Sequence, residues 1–492
     1  MRNELTLCLT LLAGAIASSL SLSAPVFAQT PSDTTWRLIS RLGYGPTTGL
    51  VDAIAKTDDA PTWALRQVDI AHAASKEPAR VPAWTQRASL SLAEIFPEFT
   101  KEREARKAGQ EKLQKSENGE GPGGNANRSE RPFSALVAGE AAAWRLAACS
   151  APDIEHPLLA RMTEFWFNHL NVFSGKGPVR PFVGRYVLDV IRANALGKYE
   201  DMLLASAKHP AMLFYLDQAQ SVAEGSAGHR GNARGLNENY ARELLELHTL
   251  GVAGGYSQND VRELARILTG WTVAPNRDDG FRFNAQVHDS GEKRLLGVVF
   301  RDRGVQEGEE AIRMLARHPA TARRIAQRLA TFFVADNPPA ALVDELARSF
   351  VDSGGDIRTT LKTLISSREF WQADQRLFKT PFDYACSALA ATGGLRNPKE
   401  AALAMGFLAQ AGQPVHGWQT PDGYKTDAAT WLSPEALTRR ADFAVALGKR
   451  TKTPDFLTPF LSEASRQRIA QEPATLHTGL MLASPEFMRK WP

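Results

Sequence analysis

Between Asn237 and Trp271 the apolar positions fall in a helical rhythm: at about 100° per residue, Tyr240, Ala241, Leu244, Leu245 and Leu247 share one broad face. Asn239, Arg242 and Glu246 point the other way, and His248 lies near the middle of the apolar face. A second helix is signalled by Ser257 as an N-cap with Asp260 three residues on, by the stripe Val261, Leu264, Ala265 and Leu268, and by Gly270 as terminator. The short loop Gly251–Tyr256 turns the chain back, so the pattern predicts an antiparallel helical hairpin. An imidazole on a buried face costs free energy unless it finds a partner, so His248 is expected to meet a carboxylate, a carbonyl or a metal.

The same three-to-four spacing recurs over Phe133 to Cys149, Pro157 to Leu170, Phe182 to Ala193, Pro210 to Leu216, Pro319 to Phe333, Pro339 to Val351 and Ile357 to Ser366. Only Phe281 to Phe300, with its alternation and glycines, reads as a small β-hairpin. The fold class is therefore mainly α, a large multi-helix domain built from antiparallel helical hairpins. The domain reading is a helical amino-terminal extension over 29–100, a linker over 101–132 and the main helical domain over 133–492. The linker begins as alternating charge and ends in Gly, Asn, Ser and Pro, a composition that predicts a solvated helix running into a disordered loop.

Residues 1–28 have the form of a secretory leader: Arg2, an apolar stretch from Leu5 to Leu22, and Val26-Phe27-Ala28 before Gln29. Export to the periplasm or beyond is the expectation, with no spanning segment once the leader is removed. A hydrophobic content of 43% with 23% charged residues suits a globular chain with a large core. A net charge of +4 over 492 residues is too small to argue for nucleic acid as a partner, and export removes the helix-turn-helix alternative for the hairpin. Beyond Cys8 the chain has Cys149 and Cys386, which the sequence leaves open as one disulfide or two buried thiols.

Several segments together carry a family resemblance: MTEFWFNHL (Met162 to Leu170), NENYARELLELHTLGV with GGYSQNDVRELARILTGW, VHDSGEKRLLG (Val287 to Gly297), HPATARRIAQRLATFFVADNPP (His318 to Pro339) and SREFW (Ser367 to Trp371). The chain resembles the bacterial family catalogued as domain of unknown function 1800, over nearly its whole length from the RLGYGPT turn (Arg41 to Thr47) onward. The resemblance implies a helical, often exported protein with no assigned reaction. It also implies, as a partner, another exported protein of the sulfatase- or phosphatase-like type.

Chemistry has to be argued from side chains. His169 repeats the placement of His248, on a stripe with Leu158, Met162 and Phe165. If Asp217 and Glu243 converge on this pair, the four form a His–carboxylate site for general acid/base work. If the loop pair His288-Asp289 joins His169 and His248, the set suits a divalent metal as cofactor. The bland alternative is a pair of core histidines bonded to backbone. Arg242 is a candidate for binding an anionic substrate, although Glu238 and Glu246 four residues away on either side suit local ion pairs. Trp418 and Trp431, in HGWQTPDGYKTDAATWLSPEALTRR, suit stacking on sugar faces or packing. The function expected is either an envelope hydrolase-like enzyme or a non-catalytic binding partner, carbohydrate-associated through the tryptophan loop.

Overall fold

The computed structural model describes residues 31–57, 59–117, 131–228, 235–372, 377–450 and 454–490. The expected leader and the Gly-rich part of the expected linker, 118–130, lie outside the described residues. The elements that position the site are α1 (Pro31–Leu42), α2 (Leu92–Glu117), α3 (Phe133–Ser150), α4 (Pro157–His169), α5 (Asn239–Glu243), α6 (Gln258–Ile267), α7 (Pro319–Phe333) and α8 (Pro381–Ala391). The mainly α expectation is borne out. Among the described residues the strands form two antiparallel ribbons rather than one: β1 (Trp271–Val273) with β2 (Phe281–Phe283), and β3 (Lys293–Leu295) with β4 (Val298–Phe300).

Local rules explain the hairpin. Ser257 and Asp260 form a reciprocal capping box at the start of α6, which satisfies two otherwise unpaired amides. Gly270 adopts φ +82°, and a Cβ there would come within 2.6 Å of the Asn284 carbonyl, so the reversal into β1 requires glycine. The first helix departs from the simple wheel, because α5 passes into a π-turn over Leu244–His248. The Thr249 hydroxyl bonds the Leu244 carbonyl at 2.6 Å there, and His248 is still buried. The Arg242 guanidinium lies 3.2 Å from Glu238 and 3.9 Å from Glu246, the ion pairs the spacing suggests.

Apolar side chains gather into two cores. The larger takes residues from Trp36 through Phe370, so the amino-terminal helices pack into the same core as α4 and α7. The smaller surrounds α8 and the carboxy-terminal helices. Helices α3 and α4 serve both: Trp144 and Leu158 face the larger core, while Ala147 and Ala160 face the smaller. Charged residues on those two helices are thus enclosed at the seam.

A disulfide between Cys149 of α3 and Cys386 of α8 lies within the smaller core and joins positions 237 residues apart. Long loops lose the most unfolded-state entropy on cross-linking. Replacing both cysteines by alanine is expected to destabilise the fold by about 2–4 kcal/mol. Equilibrium unfolding in guanidinium checks this, and an unchanged midpoint would show that packing alone holds α3 to α8.

Candidate functional site

The two core histidines come together without the carboxylates. Their ring centroids are 6.5 Å apart. His169 Nε2 lies 3.0 Å from the Tyr199 hydroxyl and 3.2 Å from the His248 carbonyl, and the Tyr199 hydroxyl donates to that same carbonyl. With the tyrosine proton on the carbonyl, Nε2 of His169 carries its own hydrogen and the ring is neutral. Burial, then Arg328 and Arg324, holds His169 well below the ordinary imidazole range, and burial with the same arginines lowers His248 to about 3. Both ring nitrogens of His248 lack a partner.

The other members of the expected set lie in separate groups. Asp217 occupies a turn at φ 58° and pairs with Lys176 at 2.8 Å. Glu243 is half-buried; burial, then Glu246 and Asp422, raises its carboxyl, opposed by Arg242. His288 Nδ1 lies 2.9 Å from the Thr269 carbonyl, and its Nε2 is 2.7 Å from Glu307 without the alignment of a hydrogen bond. Glu307 is instead the buried partner of Lys293 at 2.7 Å, and Asp289 is held by Arg266 at 2.8 Å. So His169, His248, His288 and Asp289 do not make one coordination set. Among the described residues, no group of three or more His, Cys, Asp or Glu side chains is arranged to hold a metal ion. The physical reason is that Asp217, Asp289 and Glu307 already answer nearer cations.

A different constellation lies at the seam. Every residue of α4 from Leu158 to His169 is buried, so its charged members must pair inside. Glu164 pairs with Arg145 of α3 and accepts from the Tyr424 hydroxyl. One turn earlier, Arg161 pairs with Asp383 of α8, which also holds Lys490 at 2.7 Å. Burial opposes ionisation of Asp383, yet Arg161 and Lys490 outweigh it and hold the carboxyl down to about 2. Burial also lowers Lys379 to about 7 and Lys490 to about 8.

The tryptophan segment folds over the end of α4. Asn168 grips Tyr424 from both sides, donating to its carbonyl at 2.9 Å and accepting from its amide at 2.8 Å. Asn171 donates to the carbonyls of Trp418 and Thr420, and the Tyr215 hydroxyl to that of Gln419. Gly423, at φ +72°, permits this approach, since a Cβ would lie 2.1 Å from the Asn168 carbonyl. Trp431 is buried and donates to the Lys425 carbonyl, which makes it a packing anchor rather than a stacking platform. Trp418 is half-buried and lines a cleft beneath the loop.

That cleft has an empty volume of about 370 Å³, part of it open to solvent. It is lined by the buried Arg145, Glu164, Asn168, Phe382, Gln413 and His416 and by the half-buried Pro414, Val415 and Trp418. His416 is buried in the left-handed region at φ 56°, its ring 4.9 Å from that of Phe167. Burial, then Arg145, keeps it neutral. Three buried groups here have polar atoms without partners: Nη1 of Arg145, Nε2 of Gln413 and both ring nitrogens of His416. Such atoms are costly to leave unmet, which marks the cleft as the best candidate site.

Reading the sequence for histidines overlooked Arg145, Glu164, Asn168 and His416. The signal was available in AAAWRLAACS and MTEFWFNHL, where one charge interrupts an otherwise apolar helix and implies an interior partner.

Comparison with known families gives one finding: a family model described as a protein of unknown function (DUF1800) matches residues 37–489. No curated protein and no solved structure matches the chain.

Proposed function

Because the chain belongs to the DUF1800 family, whose description assigns no reaction, we propose that it is an exported, non-catalytic binding protein that takes a carbohydrate at the cleft beneath the tryptophan loop. The observation that carries this reading is the set of partnerless buried polar side chains in a cleft that the half-buried Trp418 also lines. A half-buried indole offers a flat apolar face to a sugar ring, and the buried polar groups supply direction.

Catalysis has less support. Both oxygens of Glu164 are engaged, one by Arg145 and the other by Tyr424. His416 is neutral and no hydrogen bond fixes its ring nitrogens, whereas an activated base needs a group that fixes it. The leader-like segment supports export, as does the Cys149–Cys386 bond, since disulfides persist in oxidising compartments. No helix of the described residues is long and apolar enough to cross a membrane. The sulfatase- or phosphatase-like partner stands as part of the proposal, to be tested by co-purification from envelope extracts.

Calorimetric titration of the purified protein with mono- and oligosaccharides tests the main reading. Saturable binding is expected, weakened about tenfold by Trp418→Ala, with the sugar recovered intact. Conversion of the bound sugar into products would overturn the non-catalytic reading.

A further inference from the structure

We infer that the cleft recognises an acidic group on its ligand, a carboxylate or a sulfate ester, seated on Arg145, Gln413 and His416. This rests on the carbohydrate reading and narrows it. The argument is a matching of donors to acceptors. Arg145 Nη1 and Gln413 Nε2 are donors with nothing to receive their hydrogens, and a neutral His416 adds one N–H. Each oxygen acceptor in the cleft already receives a hydrogen, which leaves one His416 nitrogen as the unmet acceptor against three nitrogens with unmet hydrogens. Glu164 receives Arg145 and Tyr424, the Asn168 carbonyl oxygen receives the Tyr424 amide, and Gln413 Oε1 receives the Phe382 amide at 2.8 Å.

A sugar hydroxyl brings a hydrogen of its own, for which the cleft offers a single unmet acceptor, one His416 nitrogen. A carboxylate or sulfate brings oxygens only, and so meets the free donors without leaving a new polar atom unmet. The remaining His416 nitrogen is an acceptor, and the second tautomer puts its N–H on either side of the ring. The donors belong to buried side chains, whereas Trp418 in the same lining is half-buried. A small planar or tetrahedral anion would engage those buried donors, with the ring it belongs to lying against Trp418.

The test uses calorimetry on the full chain with glucose, glucuronic acid, glucose 6-sulfate, acetate and inorganic sulfate. Gln413→Glu keeps the acceptor for the Phe382 amide while replacing the free donor by a negative charge. His416→Asn keeps a residue type that tolerates positive φ, and both variants are compared with the parent by thermal unfolding. At least one acidic sugar is expected to bind about tenfold or more tighter than glucose, and Gln413→Glu is expected to abolish that preference.

The carboxylate and sulfate arms decide which acid is taken. Equal or tighter binding of glucose overturns the inference and leaves the carbohydrate reading standing. Binding of acetate or sulfate without any sugar supports the acid site and overturns the carbohydrate reading. Binding of none of the probes overturns both.

Discussion

Lowering the pH from 6.5 toward 5 is expected to strip the protein of most of its stability. His169, His248, His209, His156 and His416 are all held below the ordinary imidazole value of 6.5, in each case chiefly by burial: His248 and His209 to about 3, His156 to about 4, the other two well below. A depressed value means the unfolded chain takes up the proton first. The stabilisation is therefore complete above pH 6.5 and is lost as the pH falls toward the folded-state values near 3 to 4. Each such group contributes a slope of up to about 1.4 kcal/mol per pH unit, against a typical total of about 5–15 kcal/mol. Glu164, Asp189 and Glu243 are raised instead, first by burial, and act in the opposite direction without matching five imidazoles. Denaturant midpoints measured across pH 5 to 7 check this. Because His248 makes no side-chain hydrogen bond, His248→Leu should fold at pH 7 and reduce the slope by about one proton. A flat profile would show that the rings are not buried neutral.

Asp383→Asn is expected to cost about 3–5 kcal/mol. The substitution is nearly isosteric, so the loss measures charge rather than volume. Asp383 is the counter-ion of Arg161 and Lys490, with Lys379 and Arg440 close enough to feel its field. Removing it leaves buried cations with no carboxylate at their centre, and the second substitution Lys490→Met should recover part of the loss. Unfolding of the single and double variants in guanidinium provides the measurement. A single variant within about 0.5 kcal/mol of the parent would mean that the amide satisfies Arg161 as well as the carboxylate does.

Local signals were legible in the sequence. The capping box at Ser257 and the helices at Ile357–Ser366 and Pro319–Phe333 follow from neighbours within a few residues. Burial of His169 and His248 was legible too, since each stands in an apolar stripe. Their partners were not. His169 is answered by Tyr199 and by a carbonyl, and His248 by nothing, because a neutral ring can bear what a charged one cannot. The candidate site escaped for a different reason: Asn168 meets Tyr424 across 256 residues, and Glu164 meets it across 260. Pairings of that range depend on how helices pack, which periodicity does not encode.

The single disulfide has a consequence for how the protein is made. With Cys8 in the stretch expected to be cut away, the processed chain holds two thiols and hence one way to join them. Maturation then calls for a donor of oxidising equivalents and dispenses with any shuffling enzyme. The bond must also wait until synthesis has passed Cys386, when nearly all of the larger core has emerged and most of the smaller, which runs on to Met488, is still to come.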